Sequence, residues 1–283
     1  LVFALEADAE PVRSEAAYSC IVCAEKLLSE DNAMAAANLY DLVREANVPA
    51  QRVCEATRGA ILARGVEGVL LGPAARNRSE SGVTSKGVPL LLEQLKSGEL
   101  AMERVALSSA RELPGSGVSQ ELLVGLADLD VDLKALMILA LADRGDAETL
   151  PTMLNAAQEG PITVRLAAIE VLGSLGDETC VPVLLTLAAD DNDDILMAAR
   201  DSLSILPGDG INTLLAASLD EAEGRQRLAL FELVGRRRIE AVQPLLIAVD
   251  DSNAVVRAAA LKALGEVASL EELSVLIDGV VKP

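Results

Sequence analysis

The sequence predicts an all-α fold, an α-solenoid of about eight helix pairs, and three observations lead to it. One unit returns at nearly constant period: Lys134, Arg165, Leu196, Arg227 and Arg257 are equivalent, with steps of 31, 31, 31 and 30 residues. Six residues ahead of each stands an acid, namely Asp128, Glu159, Asp190, Glu221 and Asp251. Within a unit, apolar residues recur at three- and four-residue spacing (Val164, Ala167, Ala168, Val171, Leu172, Leu175), the period of one buried helical face. Finally, the chain is 51% hydrophobic yet holds only two Tyr, two Phe and no Trp, so its core is aliphatic and suited to closely stacked helices. A short helix with one apolar face cannot bury it alone, and stacked neighbours supply the continuous core.

Taken in order, Leu1–Leu5 aligns with the tail of a second helix such as 185–189. No methionine precedes it, so the sequence is expected to open inside a repeat, truncated at its N-terminus. A longer first unit follows, with Pro11 opening one helix and Ala33–Ala46 forming the next, capped by Asp31 or Asn32. The second unit places a helix over Pro49–Arg64 and another over Val88–Leu95. Between them lies a Gly-, Pro- and Ser-rich stretch, 72–87, read as an inserted loop that is locally basic through Arg76, Arg78 and Lys86: either a tolerated surface insertion or a partner-contact or modification loop with those three residues as candidates. From Glu99 the units are regular, at about 100–126, 131–157, 162–189, 194–219, 225–249 and 254–281. The best-marked is Pro161–Ala189, with helices over Thr163–Leu175 and Thr179–Ala189 broken at Gly176-Asp177. Small residues repeat two places after the anchor (Ala106, Ala167, Ala198, Ala229, Ala259, with Leu136 the departure) and eight places after it (Ala142, Gly173, Ser204, Gly235, Gly265), where neighbouring helices must approach closely. Pro151, Pro182 and Pro244 open second helices, where a missing N–H is tolerated. A capping-box pattern, Ser269-Leu-Glu-Glu272, starts a short last helix. Residues 1–283 are therefore expected to form a single solenoid.

Asp251-Ser-Asn-Ala-Val-Val-Arg257-Ala-Ala-Ala-Leu-Lys-Ala-Leu264-Gly265 resembles the first helix of a HEAT repeat, of the short HEAT-like subtype found in phycobiliprotein (bilin) lyases and many bacterial proteins. The resemblance covers the last two thirds of the chain well and the first third loosely. It implies an ARM/HEAT-like superhelix and a ladder of acid–base pairs linking units. Because the same repeat serves many unrelated proteins, it implies little about function.

Charge and composition narrow the function classes. A net charge of −20, from 24 basic and 44 acidic residues, argues against nucleic acid or an anionic membrane as partner, since counterion release needs a basic footprint. With no histidine, Ser-His-Asp and Cys-His catalysis are excluded, and no phosphate-cradling glycine loop is present. Of the four cysteines, at 20, 23, 54 and 180, Cys20, Cys23 and Cys54 fall in slots that the repeat fills elsewhere with apolar or small residues, so the cysteines are read as packing residues, with no metal site. Unpaired cysteines suit a reducing compartment, which favours the cytoplasm. No cofactor is implied. Leu196 breaks the basic ladder and leaves Asp190, Asp191, Asp193 and Asp194 with fewer local bases, either as a solvated acidic tip or as a patch for a cation or basic partner.

The expected function is a non-catalytic scaffold that binds another protein, one with a basic segment, on a concave face lined by second helices. The residues expected there are Thr152, Asn155, Val183, Thr186, Leu214 and Ala217. Four residues past the proline slot the side chain is small or polar (Gly125, Asn155, Thr186, Ala217, Ala248), which suggests an uncharged groove. The resemblance allows a bilin (chromophore) lyase subunit as the alternative, though the face offers no basic cluster for an anionic tetrapyrrole. A third reading is the repeat segment of a larger multidomain bacterial protein.

Overall fold

The computed structural model describes residues 2–69, 85–115 and 117–269. Three of the longer helices begin in the same way, at a side-chain cap four residues ahead of the anchor position. Asp130 accepts the Leu133 N–H at 2.9 Å, Asn192 that of Ile195 at 3.1 Å and Asn253 that of Val255 at 2.9 Å. Pro161 and Glu223 occupy this position in the other two units and give no side-chain cap. Asn32, not Asp31, caps the earlier helix, by accepting the Ala35 N–H.

First and second helices alternate along the chain. The first helices are α1 (Glu10–Ser29), α3 (Ala50–Val69), α5 (Leu100–Glu112), α7 (Val131–Arg144), α9 (Ile162–Leu175), α11 (Asp193–Ile205), α13 (Gly224–Arg237) and α15 (Ala254–Val267). The second helices are α2 (Ala33–Glu45), α4 (Gly87–Leu95), α6 (Val118–Gly125), α8 (Leu150–Gln158), α10 (Val181–Leu187), α12 (Ile211–Ser218) and α14 (Val242–Ala248). No strand occurs among the described residues, and the fold is an all-α solenoid. The helix expected over Thr179–Ala189 begins as a separate 3-10 turn, Glu178–Cys180, because Asp177 draws the Thr179 N–H to its own carboxylate at 2.8 Å. The helix expected to end at Arg64 runs on to Val69. Residues 72–84 of the expected insertion, and the short last helix after Ser269, lie outside the described residues.

The chain divides into two compact units, Leu1–Thr149 and Leu150–Pro283. In the first, α2 packs between α1 and α3, α3 touches both α4 and α5, and α5 continues to α7. Ile61, Leu91, Leu95, Leu122, Met137 and Leu141 are completely enclosed there. In the second unit the first helices follow one another, α9 on α11, α11 on α13 and α13 on α15, while α10 touches α8 and α12 in the other layer. Ile169, Leu172, Leu184, Leu203, Leu215 and Phe231 form its core.

Close approach is real at one of the repeated small positions and absent at another. A Cβ on Gly173 would lie 2.8 Å from the Ser202 Cα and 2.7 Å from its Oγ, and that buried hydroxyl donates across the same contact to the Ile169 carbonyl at 2.8 Å. Among the described residues, a Cβ on Gly265 would meet nothing within 4 Å. The alanine slot splits likewise: Ala106, Ala167 and Ala229 are buried, Ala198 and Ala259 are half-buried, and Leu136 is exposed. The cysteines follow their helix faces. Cys20 and Cys180 are buried, with burial pushing their thiols above the ordinary value, whereas Cys23 is exposed and is no core residue. On α1 the buried stripe is Ala16, Ala17, Cys20, Ile21 and Ala24, and Cys23 lies on its flank.

Candidate partner-binding surface

The second helices bury one edge and show the other. On α8, Met153 and Ala157 are buried while Thr152 and Asn155 are exposed. On α10, Val181, Leu184, Leu185 and Leu187 are buried, Val183 is half-buried and Thr186 is exposed, its hydroxyl donating back to the Pro182 carbonyl at 3.0 Å. On α12, Ile211 and Leu215 are buried and Leu214 and Ala217 are exposed. Since α10 touches both neighbours, the six residues expected at a binding face share one solvent-facing side of three adjacent helices.

The row they belong to needs two corrections. Gly125 is buried, where an added Cβ would strike the Leu92 side chain at 2.7 Å, and Ala248 is only 1% exposed. The residues one place earlier, Val124 in the first unit and Ile247 in the second, are each 72% exposed. A helix turns about 100° per residue, so a one-residue error in alignment exchanges core for solvent. In the second unit the row therefore reads Asn155, Thr186, Ala217 and Ile247, uncharged throughout and ending in a large apolar side chain.

Acidic loops follow the second helices, and their charges are partly matched. Asp190 bonds Arg165 at 2.9 Å, Asp251 approaches Arg227 at 3.5 Å, and Asp191 reaches Arg225 at 3.0 Å. The acidic tip at Leu196 thus takes bases from the units on both sides. The same carboxylates close the loop, Asp190 and Asp251 each accepting the N–H of the cap residue two places on, at 2.8 Å. That backbone bond, then the Arg165 guanidinium, hold the Asp190 carboxyl below the usual range against the opposing effect of burial. The ladder is incomplete: Asp128 pairs with Lys96 and not with the anchor Arg104.

Two half-buried arginines escaped the sequence reading. Arg144 donates to the Ala110 and Leu113 carbonyls at 2.9 and 2.8 Å, and Arg237 to those of Leu203, Ser204 and Leu206 at 2.8, 3.2 and 3.0 Å. Each completes the open C-terminus of the preceding first helix, α5 or α11, where four carbonyls lack helical partners. Burial lowers the Arg237 pKa. Their recurrence three units apart was the available signal.

Of the loop candidates, Lys86 stands at the start of α4, and Arg76 and Arg78 lie outside the described residues. Among the described residues no three metal-binding side chains converge, and no helix is long and apolar enough to cross a membrane.

Residues 119–204 match the family model described as HEAT repeats, and residues 241–270 match that of the HEAT repeat. These two stretches are HEAT repeats. No curated protein matches it. HEAT repeats commonly mediate protein–protein interaction and are generally non-catalytic, so the exposed side of α8, α10 and α12 belongs to a fold in common use as a binding scaffold.

Proposed function

We propose that this protein is a non-catalytic scaffold that holds a partner protein against the second-helix face of Leu150–Pro283. The observation that carries the reading is the uncharged row Asn155, Thr186 and Ala217, continued in register by Ile247 at 72% exposure, in a chain of net charge −20. A partner segment presenting apolar and small polar side chains finds no desolvated charge to oppose it there. The acidic loops that follow the helices, with Asp191, Asp193, Asp194 and Asp220 exposed, attract a basic flank on the same partner and raise its encounter rate.

The test is affinity capture from the source organism, with the captured proteins identified by mass spectrometry. Asn155→Arg combined with Thr186→Arg is expected to keep the helical spectrum and lose the partner. Capture that survives this double change and disappears when 72–87 is deleted would assign binding to the insertion instead.

A further inference from the structure

A second surface lies on the first helices and has the opposite character. Between α13 and α15 runs a groove of about 450 Å³. Its floor near the helix starts is apolar, formed by Leu228, Ala259 and a 60% exposed Val255. Toward the helix ends its walls are charged, with Arg200, Arg236, Arg238 and Lys262 set against Glu232 and Glu266. Cations prevail locally although acids outnumber bases 44 to 24 in the chain.

The internal pairing leaves part of this charge unused. Glu232 is taken by Arg200 at 3.1 Å and by Arg236 at 3.5 Å, and Arg236 also reaches Asp201 at 2.8 Å. Arg238 and Lys262 are both exposed and have no carboxylate within ion-pair distance among the described residues. Arg238 is also held in a left-handed backbone conformation, φ 53° and ψ 49°, at the end of α13. The equivalent residue after α7 is Gly145, at φ 72° and ψ 18°, which adopts this conformation without a Cβ clash. Arg238 thus brings a guanidinium to the mouth of the groove in a conformation that the end of α7 meets with glycine.

We propose that this groove docks an acidic segment of a partner protein, seating an apolar side chain over Leu228, Val255 and Ala259 and giving carboxylates to Arg238 and Lys262. Charge complementarity selects this occupant. Arginine at the mouth suits a carboxylate, which it meets with two parallel N–H bonds. The chain's overall negative field disfavours a long polyanion such as nucleic acid, which would extend past the basic patch.

Fluorescence anisotropy with defined probes tests the assignment on the full chain. The probes are a labelled peptide of leucines followed by glutamates, the same peptide with glutamine for each glutamate, and a single-stranded oligonucleotide. The glutamate peptide is expected to bind at least about tenfold tighter than the glutamine peptide at low salt, with the margin shrinking as salt rises. Arg238→Gly with Lys262→Gln should abolish that margin while the thermal midpoint holds or rises, since glycine relieves the strained site. Asn155→Arg with Thr186→Arg should leave the margin intact, which separates this surface from the one on the second helices. Equal binding of the two peptides, or a margin that survives Arg238→Gly/Lys262→Gln, overturns the proposal. Tighter binding of the oligonucleotide than of the glutamate peptide overturns it in favour of a nucleic-acid surface.

Discussion

At the scale of single residues, what matters is the contact each side chain meets, and repeat position alone misjudges it. Gly173 and Gly265 share a slot in the repeat, yet one presses on the Ser202 backbone and the other meets no neighbour among the described residues. Gly173→Ala is expected to cost about 1–3 kcal/mol through overpacking against a Cα that cannot swing aside. Gly265→Ala is expected to gain about 0.5–1 kcal/mol from helix propensity. Chemical denaturation of the two variants checks both signs, and equal effects would show that the slot, not the contact, governs. Tyr40 offers a second measurement. It is 2% exposed and packs on Gly59, and burial, followed by the Glu25 charge, pushes its phenol up to about 12. The folded chain therefore keeps this proton after the unfolded chain has lost it near pH 10, and stability falls as pH rises from about 10 to about 12. In a Tyr18→Phe background, where Tyr40 is the remaining tyrosine, phenolate absorbance should develop close to pH 12 and not close to pH 10. Residue detail of this kind was only partly legible in the sequence. Gly173 stood out as a small residue at a repeating place, but its difference from Gly265 depends on which neighbour follows. Arg144 and Arg237 were hidden because a half-buried arginine bonding carbonyls looks, as sequence, like any surface arginine.

Between residues and the molecule stand the helices, whose order and type were legible throughout the described chain because the apolar period and the punctuation agree. Their phase was harder to read. The last step is 30 residues instead of 31, and that one loop residue turned Ile247 from an expected neighbour of the row into the row itself. Helix ends carry the strongest prediction. Arg237 satisfies three carbonyls at the end of α11 and donates from Nε to Asn212 Oδ1 at 2.7 Å, so Arg237→Leu leaves part-buried acceptors without donors. The expected loss is about 2–4 kcal/mol, and Arg237→Lys should recover little because one ammonium cannot span the fork. Arg225→Ala removes an ion pair whose side chains are 57% and 101% exposed and is expected to cost under about 0.5 kcal/mol. Urea midpoints of the three variants measure the contrast; comparable losses for Arg237→Leu and Arg225→Ala would refute the capping role.

For the molecule as a whole, charge is the lever. At a net charge of −20 the folded chain repels itself, and added salt up to about 0.15 M should raise the thermal midpoint, because screening the repulsion outweighs the loss of exposed ion pairs. Acid acts differently on the carboxylates that close the loops. The Asp190 pKa lies below its unfolded value, so its contribution is present above about pH 4 and is lost as pH falls through the folded value. Asp190→Asn should flatten the acid side of a plot of stability against pH, and an unchanged slope there would show that the Asn192 and Arg165 bonds contribute nothing in solution.

The caps made by Arg144 and Arg237 have a direction, each reaching back to a helix that precedes it in the chain. On the ribosome α11 emerges before α13, so its last carbonyls face water until Arg237 has been translated and the next helix has folded onto it. The units that hold α5 and α11 are therefore each finished by a residue of their successor.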